Sequence, residues 1–231
     1  MHEQIELTKR NDRTLTVRGT GRLSVKPDLI VINVNLIKKD KSYSRAMEES
    51  AVLQEALRAG LEKLGFKREA LTTSSFNVNT EYESVRGRNG MFQQVFAGYV
   101  CMHRMRLEFA YDTKLLSQVL SAISDCIAEP ELDVQFTVKN KEPLADELLK
   151  QAAANALRRA KLLAEASGVT LCELISIDYS WANPNFVSPT NYSYGGGRRM
   201  MKAEAECAMD MGIEAQGIDL SEDVTFVWRI A

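Results

Sequence analysis

Two hydrophobic periods run through this 231-residue chain, and they separate strands from helices. Within "LSVKPDLIVINVNLIKK", Ile30, Ile32, Val34 and Leu36 share one face. Asn33 and Asn35 lie on the other, which Leu29, Val31 and Ile37 make partly apolar. The pattern predicts a long strand. "TLTVRG" predicts a shorter strand before it, with Gly19 and Gly21 as the turn between them. Tyr43, Ala46, Met47, Ser50, Leu53, Leu57, Leu61 and Leu64 then fall at three-to-four spacing and predict a helix over 42–64, stopped by Gly65. Residues 71–85 alternate as a Thr- and Ser-rich strand, "RGRNG" marks a turn, and "FQQVFAGYVCMHRMRLEFA" returns as a long strand.

Asp112 is placed to cap a second helix, whose buried side holds Leu115, Leu116, Val119, Leu120, Ile123 and Ile127. Leu132, Val134, Phe136 and Val138 alternate in a further strand. Pro143 sits in the first turn of a third helix, where a missing N–H costs nothing. That helix ends at Gly168, and its small face (Ala145, Ala152, Ala156, Ala160) predicts close approach to a sheet. "TLCELISIDYSW" is a strand, 182–217 a long loop, and "IDLSEDVTFVWRIA" the closing strand.

The element order contains a repeat. Residues 22–110 and 131–231 each read strand, helix, strand, loop, strand, with the helix at 112–127 between them. The expected fold is therefore α+β: two βαββ halves joined by a helix, with mostly antiparallel sheets and helices packed on them. Residues 1–13 read as a flexible arm ahead of one domain over 14–231.

Gly19-Thr20-Gly21 also opens a possible nucleotide motif, which the following residues reject. A dinucleotide fingerprint needs a third glycine and an immediate helix. Here position 24 is Ser, and a strand broken by Pro27 follows. The stretch shapes a sheet, with the glycines supplying unusual backbone angles and Pro27 belonging at a bulge or edge. Hydrophobic residues make up 45% and charged residues 26%, so a core can form without disulfide staples. A net charge of −2 gives no electrostatic case for nucleic acid. No apolar run reaches the length of a membrane span. The polar first 28 residues lack the apolar core of a secretory signal, and the expected location is cytoplasmic. Cys101, Cys126, Cys172 and Cys207 are widely spaced and read as reduced, mostly buried thiols.

"VRGTGRLSVKPDLIVINVNL" resembles the opening of the SIMPL domain family, named for a signalling molecule that associates with a pelle-like kinase. "AGYVCMHRMRLEF", the Ala-rich "DELLKQAAANALRRAKLLAEASGV" and the tail "RRMMKAEAECAMDMGIEAQGIDLSEDVTFVWRI" resemble later family segments in order, so the likeness spans about 17–230. It implies an α+β protein with helices on antiparallel sheets. It also implies kinship with periplasmic or surface-associated immunogenic proteins, some of which form large rings. It carries no catalytic residues over.

Candidate chemistry is sparse. Cys101, His103 and Met105 share a strand face and are soft-metal ligands in type. Leu107 and Phe109 continue that face, and the only other histidine is His2, so the face reads as core or interface. No catalytic, metal or cofactor residues are assigned and no cofactor is expected. Arg86, Arg88, Arg198, Arg199 and Lys202 form a weak candidate for an anion contact; Trp181, Tyr192 and Tyr194 add aromatics, but Glu204, Glu206 and Asp210 counter a nucleic-acid role. Met200, Met201, Met209 and Met211 suit an adaptable interface, so 182–217 is expected to act as an assembly arm. Pro184, Pro189 and Gly195–Gly197 argue against regular structure in its first half. The expected function is that of a non-enzymatic homo-oligomer with a stress or envelope role. An enzyme or small-ligand binder with a site between the halves is the alternative.

Overall fold

The computed structural model describes residues 13–86, 91–126, 131–179, 184–194 and 214–231. It is α+β, with antiparallel pairing throughout two sheets. Contacts divide the chain into two compact units. One holds 1–25, 140–186 and 218–231; the other holds 26–139 and 187–217.

The larger unit is a five-stranded sheet with two helices. Strands β2 (Leu29–Asp40), β3 (Leu71–Arg86), β4 (Phe92–Ala110), β5 (Glu131–Thr137) and β7 (Val187–Tyr194) lie in the order β3-β4-β2-β5-β7. The alternation expected of β2 is observed. Ile30, Ile32, Val34 and Leu36 are buried on one face with Met105 and Leu107 of β4 and Val134 and Phe136 of β5. Helix α1 (Tyr43–Lys63) adds Leu57 and Leu61, and helix α2 (Thr113–Cys126) adds Leu116, Val119 and Ile123. Asp112 caps α2 as its position implied: its Oδ1 accepts from the N–H groups of Lys114 and Leu115 at 2.9 and 3.0 Å. Gly65 ends α1 at φ +88°, a conformation that favours glycine.

The smaller unit is a three-stranded sheet, β1-β8-β6, with one helix. It comprises β1 (Thr14–Val25), α3 (Glu142–Ala166), β6 (Leu171–Asp178) and β8 (Ile218–Ile230). Gly19 and Gly21 do not make a turn. β1 runs straight through them, and neither has a positive φ. They make room instead. A Cβ on Gly19 would stand 2.0 Å from the carbonyl oxygen of Ala152, and one on Gly21 would stand 2.0 Å from that of Leu148. The alanine stripe of α3 and the two glycines of β1 are therefore halves of one close contact, and Ala152, Ala156 and Ala160 are fully buried.

The turn after β1 is Lys26–Asp28. Asp28 fixes the entry to β2: its N–H donates to the Thr137 carbonyl at 3.0 Å, its carbonyl accepts from the Tyr111 N–H, and its Oδ1 accepts from the Lys139 N–H at 2.7 Å. The loop expected over 182–217 contains a strand, since Val187–Tyr194 forms β7 against β5. Pro189 is tolerated there because β7 is an edge strand, where a missing donor breaks no ladder. Residues 182–183 and 195–213 of the proposed arm, with Arg198, Arg199, Lys202 and the four methionines, lie outside the described residues.

Candidate functional site

Strands β3 and β4 outrun their sheet. The pairing of β2 with β4 stops at Asp40↔Tyr99, while β3 and β4 continue together to Arg86↔Phe92. The step is built by Gly98 at φ +154°, where a Cβ would meet the Asp40 carbonyl oxygen at 2.7 Å, and by a register shift at Glu81/Tyr82. Beyond it the ribbon is two strands wide, and a ribbon that narrow has no core of its own. It nevertheless carries exposed apolar side chains among polar ones such as Glu83, Ser84, Gln93 and Gln94. Phe92 is 72% exposed, Met91 68% and Tyr82 56%, with Val85, Val95 and Phe96 also exposed. Edge-to-face rings run down the ribbon from Tyr82–Phe96 to Phe96–Tyr99 and on to Tyr99–Tyr43 at the start of α1, with centroids 5.3–5.9 Å apart.

A second feature lies on the face of the five-stranded sheet opposite its core. Register places Arg104 beside Asn35 and Asn35 beside Glu131; the next rung is Arg106, Asn33 and Asp133. Asn35 Nδ2 donates to Glu131 at 2.8 Å, and Asp133 accepts from Gln135 Nε2 at 2.7 Å. Arg106 is paired with Glu108 at 2.6 Å, whereas Arg104 has no ion pair among the described residues. A recess of about 410 Å³ opens over this face between Arg104, Glu131, Asp133 and Ser193.

Cys101, His103 and Met105 point into the core side of β4, all buried. His103 Nε2 is 2.8 Å from the hydroxyl of Thr73, and its ring meets Phe76 edge-on at 5.1 Å. Burial, and then the nearby Arg58 guanidinium, hold its pKa below the ordinary imidazole value. The three residues thus stay in the packed role their alternation implied. Among the described residues no cluster of three or more His, Cys, Asp or Glu side chains could hold a metal ion. The described cysteines are free thiols; Cys101 is buried, Cys126 half-buried and Cys172 exposed, so "mostly buried" does not describe them. Burial, with Asp125 adjacent, raises the Cys126 pKa. Of the loop cations, Arg86 is exposed at the hairpin end and Arg88 lies outside the described residues, as does Trp181. Tyr192 packs against the larger core. The exposed ribbon and the charged face both escaped the sequence reading, although like residues at i and i+2 (Asn33/Asn35, Arg104/Arg106, Glu131/Asp133) were a signal for the second.

The family model for SIMPL, described as a protein of unknown function (DUF541), matches residues 15–228. The chain belongs to the SIMPL family. Two curated proteins are similar to it across most of their length: the 26 kDa periplasmic immunogenic proteins of Brucella melitensis and Brucella abortus. Each is 22% identical over 215 residues, which is 92% of this SIMPL chain and 83% of the relative. Their names overturn the cytoplasmic expectation. A polar opening stretch does not decide a compartment, and both relatives are periplasmic proteins. None of the helices over the described residues is long and apolar enough to cross a membrane.

Proposed function

We propose that this SIMPL protein is a non-enzymatic, self-associating protein of the bacterial periplasm, and that the outer ribbon of β3 and β4 is its assembly surface. The observation that carries the reading is the set of exposed apolar side chains on both faces of that ribbon: Tyr82, Phe92 and Phe96 on one face, Val85 and Val95 on the other, and Met91 just before β4. Exposed apolar side chains gathered on one element in this way mark interaction sites on soluble proteins. With both faces of the ribbon covered, the six side chains offer on the order of 600 Å² per copy. Two copies together then reach roughly 1,200 Å², the lower bound of a stable interface. A second copy supplies equally apolar rings and needs no other partner. The periplasmic location is supported by the names of the two Brucella relatives.

The test is the solution mass of the intact chain and of a triple variant, Phe92→Ser, Val95→Thr and Phe96→Ser, by light scattering. These positions lie beyond the end of β2 and outside both cores, so circular dichroism is expected to stay unchanged. The intact chain is expected to be oligomeric and the variant to be smaller. Equal masses would remove the ribbon from the assembly.

A further inference from the structure

The charged face of the larger sheet is graded. β4 presents a cation, β2 amides and β5 carboxylates, in register across three neighbouring strands. The cation and the acids do not cancel each other: no ion pair joins Arg104 to Glu131 or Asp133 among the described residues. Between them, Asn35 turns its Nδ2 to Glu131 and leaves its Oδ1 shielded from water with no hydrogen-bond partner. A shielded acceptor without a donor is costly and rare. The recess over this face is lined by Asn35 midway between separated charges of opposite sign.

We propose that this recess binds a short zwitterionic peptide of about three residues, held by both its ends. The C-terminal carboxylate pairs with the Arg104 guanidinium, the planar fork suited to carboxylates. The N-terminal ammonium sits between Glu131 and Asp133, and on binding the Asn35 amide turns outward so that a peptide N–H from the middle residue satisfies its Oδ1. Length selects the ligand. Arg104 and Glu131 are two strand spacings apart, about 10 Å. An extended chain of three residues also spans about 10 Å. A chain of about three residues matches that spacing best. Contacts to the ends and backbone leave the side-chain sequence unspecified.

Triglycine, titrated into the full isotopically labelled chain and followed by amide chemical shifts, tests this. Saturable shifts are expected at Asn33, Asn35 and Glu131. Acetylating the amine or amidating the carboxylate is expected to weaken binding about tenfold each, the loss of one charge-assisted contact. Substitution then crosses with blocking: Arg104→Gln abolishes the preference for a free carboxylate, and Glu131→Gln with Asp133→Asn abolishes the preference for a free amine. The unchanged remainder of the spectrum certifies the fold of each variant. Absent saturation, equal binding of blocked peptides, or the same shifts with acetate alone would overturn the proposal. So would concentration-dependent broadening without peptide that Arg104→Gln removes, since the face would then meet a second copy.

Discussion

Gly19 and Gly21 are where one atom decides most. Each faces the backbone of α3, and a Cβ at either would lie 2.0 Å from a carbonyl oxygen, far inside contact distance. The listener in this contact is main chain, which cannot rotate aside. Gly19→Ala or Gly21→Ala is therefore expected to force α3 off β1 and cost at least the roughly 1–3 kcal/mol of an overpacked core, read as a lower urea midpoint. Gly60 of α1 is a milder case, because a Cβ there would meet the Cys126 Sγ at 3.3 Å and the Ala122 Cβ at 3.9 Å. His103 makes a different prediction. Its neighbours are Thr73, Phe76 and Arg58, and none can accept an added charge as an anion would. Its folded pKa lies below the unfolded value of 6.5. The unfolded chain therefore binds the proton first as pH falls. Stability is full above about pH 6.5 and declines below it, through the folded value. In a His103→Gln variant, thermal unfolding followed from pH 8 to pH 5 is expected to lose this part of the decline.

At the level of elements, α3 guards one strand edge of the smaller sheet. β1 is an edge strand, and its outward backbone groups are met by side chains one helical turn apart. Gln151 accepts from the Arg22 N–H at 3.3 Å, Asn155 donates to the Thr20 carbonyl at 2.8 Å, and Arg159 donates to the Arg18 carbonyl at 3.0 Å. Asn155→Ala is expected to cost about 1 kcal/mol and to speed hydrogen exchange along β1. The opposite edge, β6, is protected differently, by register shifts along its pairing with β8. Elements with a strict period were legible in the sequence: β2, β4, β8 and all three helices fall close to where alternation or helical spacing put them. Gly19 and Gly21 were misread because glycine is local punctuation in most chains, whereas here it answers to Ala152 and Leu148, more than a hundred positions away. β7 was missed because Pro189 reads as a breaker unless the strand is known to lie at an edge. The charged face depends on register between β4, β2 and β5, which no single segment encodes.

On the scale of the whole molecule, the two units draw on the chain differently. The larger takes one long run, 26–139, and a later piece, 187–217. The smaller gathers the beginning, the middle and the end. β8 is the centre of its sheet, and both β1 and β6 pair with β8 and not with each other. A chain ending before Ile218 is expected to keep slow amide exchange in β2, whose partners β4 and β5 remain, and to lose it throughout β1. Loss of protection in β2 as well would show that the larger unit cannot stand without the smaller.

The placement of β8 also sets a timetable. Among the described strands β1 leaves the ribosome first, and its partner leaves last. The ion pair of Arg18 with Asp223 joins residues 205 positions apart. Until β8 arrives, β1 has no strand to complete it, while β2, β4 and β5 already have one another. Synthesis and folding thus run in opposite order for β1. The earliest of these strands to be made is among the latest to settle, and β1 stays unpaired until β8 follows it.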